Sequence, residues 1–193
     1  MGTVVARLKK EGIWPDFAIV IDVSDTIYHQ LNGNVDYEKT SLLYMISANA
    51  KAVASFAGEK YAIFQKGFNM AEDYAREHGF RLVNTGGSVS TTALDVCICL
   101  GCRKVICLGL DLAYTGNRTH AEGTLGVVDV TQTQDLPTVK NVFGKMVPTS
   151  SSLSSFHKWI ENRIADEQGI EFVNVSDGAY IEGMKNIGTE EVR

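Results

Sequence analysis

No apolar run in this chain approaches the ~20 residues that a membrane-spanning helix needs. The opening Met1-Gly2-Thr3-Val4-Val5 lacks the apolar core of a secretory leader, and Ala6 stands where a myristoylation signal carries Ser or Thr. Basic residues are few and scattered: 18 Lys and Arg against 23 Asp and Glu give a net charge of −5, and only Lys9-Lys10 and Arg103-Lys104 are adjacent. That balance argues against a nucleic-acid partner. All four cysteines lie at 97, 99, 102 and 107, with no paired C-x-x-C knuckles. A zinc site is therefore not expected from them. The thiols read instead as buried, reduced and structural, which fits a cytoplasmic setting. There is no Walker loop, no Gly-x-Gly-x-x-Gly and no internal repeat. Spacing supports no Ser-His-Asp set and no pair of glycosidase acids.

What is present is an alternation of strands and helices. At 193 residues with 45% apolar content, the chain can bury a real core. Helices are expected over 3–11, 49–56, 70–78, 88–100 and 156–167. Strands are expected over 17–22, 42–47, 61–64, 81–84, 104–110 and 170–175, with a terminal one over 178–184. Pieces 127–133 and 138–147, split by Asp135-Leu136-Pro137, read as a hairpin excursion within a lid insertion over 112–151. The alternation predicts βα units and a mainly parallel sheet, an α/β, Rossmann-like, three-layer domain over 1–193.

Two segments carry chemistry. Asn84-Thr85-Gly86-Gly87-Ser88-Val89-Ser90-Thr91-Thr92 reads as a strand end, a small-residue turn and a helix start. Glycines leave backbone N–H groups uncovered and the helix dipole adds positive charge, a setting for phosphate or carboxylate. Gly86, Gly87, Ser88, Ser90 and Thr91 are the candidate ligand contacts; the hydroxyls serve equally well as helix caps. The second segment, Gly109-Leu110-Asp111-Leu112-Ala113-Tyr114-Thr115, ends the strand at 104–110, where open α/β sheets place ligands. Asp111 caps a turn or contacts a ligand, and the Tyr114 phenol can donate to a leaving phosphate. Downstream, Arg118-Thr119-His120 places an imidazole with an ordinary pKa near ~6.5 in a polar loop, a general-base candidate. Asp22-Val23-Ser24-Asp25 ends the first strand and reads first as a capped turn, second as a metal site beside a diphosphate.

Several motifs together resemble the catalytic domain of the motility-associated factor family, the bacterial flagellin glycosyltransferases. They are Gly12-Ile13-Trp14-Pro15-Asp16-Phe17 with Ile21-Asp22, then Gly86-Gly87-Ser88-Val89-Ser90-Thr91-Thr92-Ala93. Gly109 to Thr115 with Arg118-Thr119-His120-Ala121 follow, and Phe172 to Ala179 with Ile181 and Gly183 close the set. The resemblance spans nearly the whole chain in order. It implies a fold similar to bacterial sialyltransferases. It also implies transfer of a sialic- or pseudaminic-acid-like nonulosonic sugar from a CMP donor to a protein hydroxyl, flagellin or another acceptor, with no required cofactor. On that reading Gly86, Gly87 and Ser88 receive the donor phosphate or sugar carboxylate. Tyr114 assists the departing CMP phosphate, Asp111 fixes the loop, and His120 deprotonates the acceptor hydroxyl. Ser90, Thr91, Thr115, Arg118 and Asp22 complete the substrate contacts. An archaeal branch that looks similar implies an alternative, a hydroxymethylpterin diphosphokinase using ATP, with Mg²⁺ near Asp22 and Asp25. Family members carry a strand and a Gly-x-Gly-Pro-Ser-Leu-type nucleotide loop ahead of the position matching Met1. The first βα unit is therefore expected to be missing here, which leaves the chain's own catalysis open and keeps a third reading, a non-catalytic nucleotide-binding module of motility or surface-glycan systems.

Overall fold

A computed structural model of the protein describes residues 2–114 and 136–192. By internal contacts the described chain divides into two units, one up to residue 95 and one from 96 onward. The architecture is mixed α/β: mainly parallel sheet flanked by helices, plus an antiparallel hairpin.

In the first unit, β1 (Phe17–Val20), β2 (Ser41–Met45), β3 (Lys60–Gln65) and β4 (Leu82–Val83) form one parallel sheet in chain order. Parallel neighbours need crossover connections. These are supplied by α2 (Thr26–Leu31), α3 (Ala50–Ser55) and α4 (Asn69–His78), after the opening helix α1 (Gly2–Lys10). β1 buries three consecutive residues, Ala18, Ile19 and Val20, as a strand covered on both faces must. Ala18 lies opposite Leu42, and Val20 opposite Tyr44. On that face the strands pack with Val5 of α1, Ile27 and Leu31 of α2, Ala52 of α3 and the fully buried Phe56. Each large side chain removed from water there contributes about 1.5–3 kcal/mol. Local signals set the helix ends. Gly79 stops α4 in the left-handed conformation at φ 70°. The Asn49 side chain accepts the Ala52 N–H at 2.9 Å to cap α3.

Helix α5 (Val89–Cys99) runs across the boundary between units in sequence. In the second unit, β5 (Lys104–Leu108), β8 (Glu171–Val175) and β9 (Lys185–Ile187) form a parallel sheet in the order β5-β8-β9. Between β5 and β8 in sequence lie the hairpin β6 (Thr138–Lys140) and β7 (Met146–Pro148), then α6 (Ser151–Ala165). Three expectations are corrected. The hairpin falls at 138–148, nearly all of it in the piece read as one strand over 138–147, because the Asn141 side-chain Oδ1 accepts the N–H groups of Phe143 and Lys145 and Gly144 turns left-handed at φ 80°. The piece 127–133 lies outside the described residues. Helix α6 starts at Ser151 rather than near 156, since Ser150 caps it by accepting the Leu153 N–H. The terminal strand forms at 185–187, not 178–184, because Gly183 takes φ 84° and breaks the extended run.

The four thiols are free and half-buried rather than buried. Burial, reinforced by the Cys97 thiol, pushes Cys107 up to about 11. An unfolded thiol ionises near ~8.5. Since the folded state holds the neutral form, Cys107 contributes stability that is fully present below the unfolded value and is lost as pH rises toward the folded one. Urea midpoints measured from pH 7 to 11 should therefore fall more steeply in the wild type than in Cys107→Ala across roughly pH 9 to 11.

Candidate functional site

In the first unit, four loops leave the carboxyl ends of β1 to β4. After β1, the Asp22 carboxylate accepts the Ser24 N–H at 2.8 Å, closing an Asx turn. Asp25 accepts the Asn49 side-chain N–H at 3.0 Å, and the same amide nitrogen donates to the Val23 carbonyl. Both carboxylates are exposed; Asp22 closes its own loop, and Asp25 ties that loop to the one after β2. At the end of β3, Gln65 donates from Nε2 to the Ser47 hydroxyl at 3.2 Å and leaves its buried Oε1 without a partner among the described residues.

After β4 comes the glycine turn. Thr91 is fully buried, and its Oγ1 accepts the N–H groups of Gly86 and Ser88, each at 3.1 Å, while donating to the Ser88 carbonyl at 2.7 Å. The Ser88 hydroxyl accepts the Thr91 N–H at 3.2 Å, and the buried Thr92 hydroxyl also donates to the Ser88 carbonyl. Thr91 and Ser88 therefore cap α5 reciprocally and take up two of the turn's donors. Gly87, exposed and left-handed at φ 89°, keeps the N–H of 86–88 that no neighbouring group takes among the described residues. Ser90 is half-buried. Behind the turn, the fully buried Asp95 accepts the Asn84 N–H at 2.6 Å and fixes how β4 enters α5.

In the second unit the segment after β5 is clamped from several sides. The Gly109 N–H reaches the Val175 carbonyl at 3.0 Å, and the Tyr114 N–H reaches the Pro148 carbonyl at 2.8 Å. Between these anchors the carbonyls turn inward. Leu110 O accepts from the Asn174 side chain at 3.4 Å, Asp111 O from the Ala179 N–H at 2.6 Å, and Leu112 O from the Thr149 hydroxyl at 2.9 Å. The Asp111 carboxylate accepts the Ser176 hydroxyl at 2.5 Å, and that hydroxyl oxygen accepts the Gly178 N–H. Leu112 is buried at φ 50°, the one non-glycine residue in the left-handed region among those described. A conformation that costs of order 1–3 kcal/mol persists only where its surroundings over-determine it, and such residues cluster at functional sites.

The structure thus places Gly86, Gly87, Ser88, Ser90, Thr91 and Asp22 at strand ends of the first unit, and Asp111 and Tyr114 together after β5 in the second. Thr115, Arg118 and His120 lie outside the described residues. Asp95, Leu112, Thr149, Asn174, Ser176 and Gly178 gain their roles from the structure; in the sequence Leu112 falls within the Gly109 to Thr115 motif, and Asn174, Ser176 and Gly178 within the Phe172 to Ala179 motif, with no role of their own. Among the described residues, no group of three His, Cys, Asp or Glu could hold a metal ion, and no helix is long and apolar enough to cross a membrane.

Parallel sheet with polar, glycine-bearing loops at the carboxyl ends of its strands defines an α/β protein of the Rossmann-like kind. Residues 1–117 match the family described as 6-hydroxymethylpterin diphosphokinase MptE-like, and the chain belongs to that family. The solved structure of the Maf glycosyltransferase from Magnetospirillum magneticum AMB-1 superposes with a TM-score of 0.77 over 100% of this chain at 17% identity, which establishes a shared fold. The chain spans 29% of that structure. An uncharacterised protein of Treponema pallidum (strain Nichols) is 46% identical over 44 residues, 23% of this chain and 11% of that one.

Proposed function

We propose that the chain is a glycosyltransferase-type domain that moves a nonulosonic sugar from a CMP donor to a protein hydroxyl, flagellin or another acceptor. The observation that carries this reading is the superposition of the whole chain on a Maf glycosyltransferase. The strand-end turn at Gly86, Gly87 and Ser88 takes an anionic group of the donor, and Ser90 and Asp22 belong to the same unit. Thr91 serves that turn from beneath. Asp111 holds the loop after β5, from which the Tyr114 phenol donates to the leaving phosphate. His120 removes the proton from the acceptor hydroxyl, and Thr115 and Arg118 contact the donor. The carbon–oxygen bond to CMP breaks as the bond to the acceptor oxygen forms, and the acceptor proton passes to the imidazole.

The family description favours a second reading, a diphosphokinase acting with ATP and Mg²⁺. The two readings separate in a thermal-shift series with CMP, a CMP-nonulosonate, and ATP with Mg²⁺. The first predicts a rise in melting temperature with the cytidine ligands. A rise confined to ATP with Mg²⁺ favours the second, and no rise with any of them favours a non-catalytic module. Loss of a general base typically costs about 10²–10⁴ in rate. His120→Ala should therefore lose transfer by that order while keeping CMP binding. Transfer at the wild-type rate in that variant removes His120 from the mechanism.

A further inference from the structure

The C-terminus of α5 sets two thiols against one another. Gly101, two residues past the helix, turns left-handed at φ 76°. Its N–H reaches the Ile98 carbonyl at 3.0 Å, and the Cys102 N–H reaches the Cys97 carbonyl at 3.1 Å. That pair of bonds is a Schellman stop, in which the side chains three residues before the cap and two after it meet, commonly as an apolar contact. Here both positions are cysteine, and the Cys97 and Cys102 thiols are hydrogen-bonded to each other. The backbone bond alone holds the two Cα atoms within about 7 Å, inside the reach of a disulfide.

Both thiols are free and half-buried, and both belong to the second unit. Cys102 stands between the exposed Gly101 and the exposed Arg103, so a small solute can reach it. Burial first, and then the Cys102 thiol, holds Cys97 above the usual thiol range, which keeps its proton on and leaves the first attack to Cys102. Cys99 is two positions from Cys97 on the helix, and residues so spaced do not face each other. Cys107 of β5 also lies near Cys97, but no backbone bond ties those two among the described residues. Among the described residues no three His, Cys, Asp or Glu side chains gather as a metal site requires. Two thiols in contact without further ligands suit a covalent link better than a bound ion.

We infer that Cys97 and Cys102 form a reversible disulfide that clasps the C-terminus of α5, made by hydrogen peroxide and undone by thiol reductants. The Cys102 thiolate attacks one peroxide oxygen and the O–O bond breaks. A sulfenic acid forms, and the departing hydroxide takes up the thiol's proton as water. The Cys97 sulfur then attacks the Cys102 sulfur, the S–O bond breaks, and the hydroxyl leaves as water with the Cys97 proton. Two thiols lose two electrons and two protons, and one peroxide becomes two waters. The inference stands apart from the transferase reading and holds whichever nucleotide the chain binds.

The test is peptide mapping of the full chain after hydrogen peroxide, with free thiols capped by iodoacetamide. Trypsin cuts after Arg81 and Arg103, so Cys97, Cys99 and Cys102 share one peptide and Cys107 lies on a later one. The disulfide predicts an 82–103 peptide lighter by two hydrogens and capped at Cys99 alone, with Cys107 capped as well. Dithiothreitol should restore capping at Cys97 and Cys102. Cys102→Ser should lose the lightened form, and Cys99→Ser should keep it. Capping of every cysteine after peroxide, a Cys97 link to Cys107 that joins the two peptides, or a sulfinic acid at Cys102 with no link overturns the inference. Hydrogen exchange gives a second readout. The Cys102 amide, bonded to the Cys97 carbonyl, should exchange about tenfold more slowly in the oxidised chain. Equal exchange in the two forms overturns the clasp.

Discussion

Gly178→Ala is expected to lose about 3 kcal/mol or more of folding stability, near the upper end for forcing extra atoms into a packed site. An added methyl carbon at that position would lie 2.2 Å from the Asp111 carbonyl oxygen and 2.4 Å from its Cα. Those are backbone atoms of a segment already fixed by Ala179, Ser176 and Thr149, so no side-chain rotation relieves the overlap. For a chain of this size the loss corresponds to a melting temperature lower by roughly 6–12 °C. Gly188→Ala is the internal comparison. There the added carbon would meet the ring of Phe143 at 3.0 Å, and that ring is 55% exposed and can swing away. Equal losses in the two variants, read by scanning calorimetry, would show that the loop after β5 yields as easily as a surface ring. The clamp described for Asp111 and Leu112 would then be wrong.

How much of this was legible in advance depends on which interactions decide each element. β1 and β5 announce themselves as continuous apolar runs ending in acid or glycine; β1 is buried as a strand covered on two faces should be, whereas β5 leaves Ile106 and Leu108 exposed. The stops of α1 and α4 are legible because glycine at a helix end has a local cause. The glycine turn at 86–88 was legible as a turn, but not the use made of its donors. A Ser and a Thr three residues apart serve either a cap or a ligand, and only the burial of Thr91 assigns its hydroxyl to the cap. The late start expected for α6 reflects a serine run that reads as loop until Ser150 is seen to cap it. β9 and the hairpin were displaced because their positions follow from long-range pairing. Val173 meets Lys185, and Asn141 meets Ala179, through contacts that no local pattern encodes. The clamp on the segment after β5 was hidden for the same reason: Leu112 carries no sign of its left-handed backbone, which Thr149 and Ala179 impose from distant parts of the sequence.

Thr91 supplies the sharpest division between holding a turn and binding a ligand. Thr91→Val removes a hydroxyl and keeps the shape, leaving the Gly86 and Ser88 N–H groups and the Ser88 carbonyl short of a partner at a buried position. Each unsatisfied group costs about 1–3 kcal/mol. The Thr92 hydroxyl still serves the Ser88 carbonyl, so the two N–H groups dominate, and a total loss of about 2–5 kcal/mol is expected. Thr91→Ser retains the oxygen and sacrifices one methyl group, a change of about 1 kcal/mol. Chemical denaturation of the two variants should therefore differ several-fold in cost, with the valine form far the weaker. If Thr91 instead met the ligand directly, the valine variant would unfold near the wild-type midpoint and lose only nucleotide affinity. The fully buried position of the side chain argues for the first outcome. On that outcome the threonine acts as a positioning residue, shaping the Gly87 N–H and the Ser88 hydroxyl for the donor without touching it.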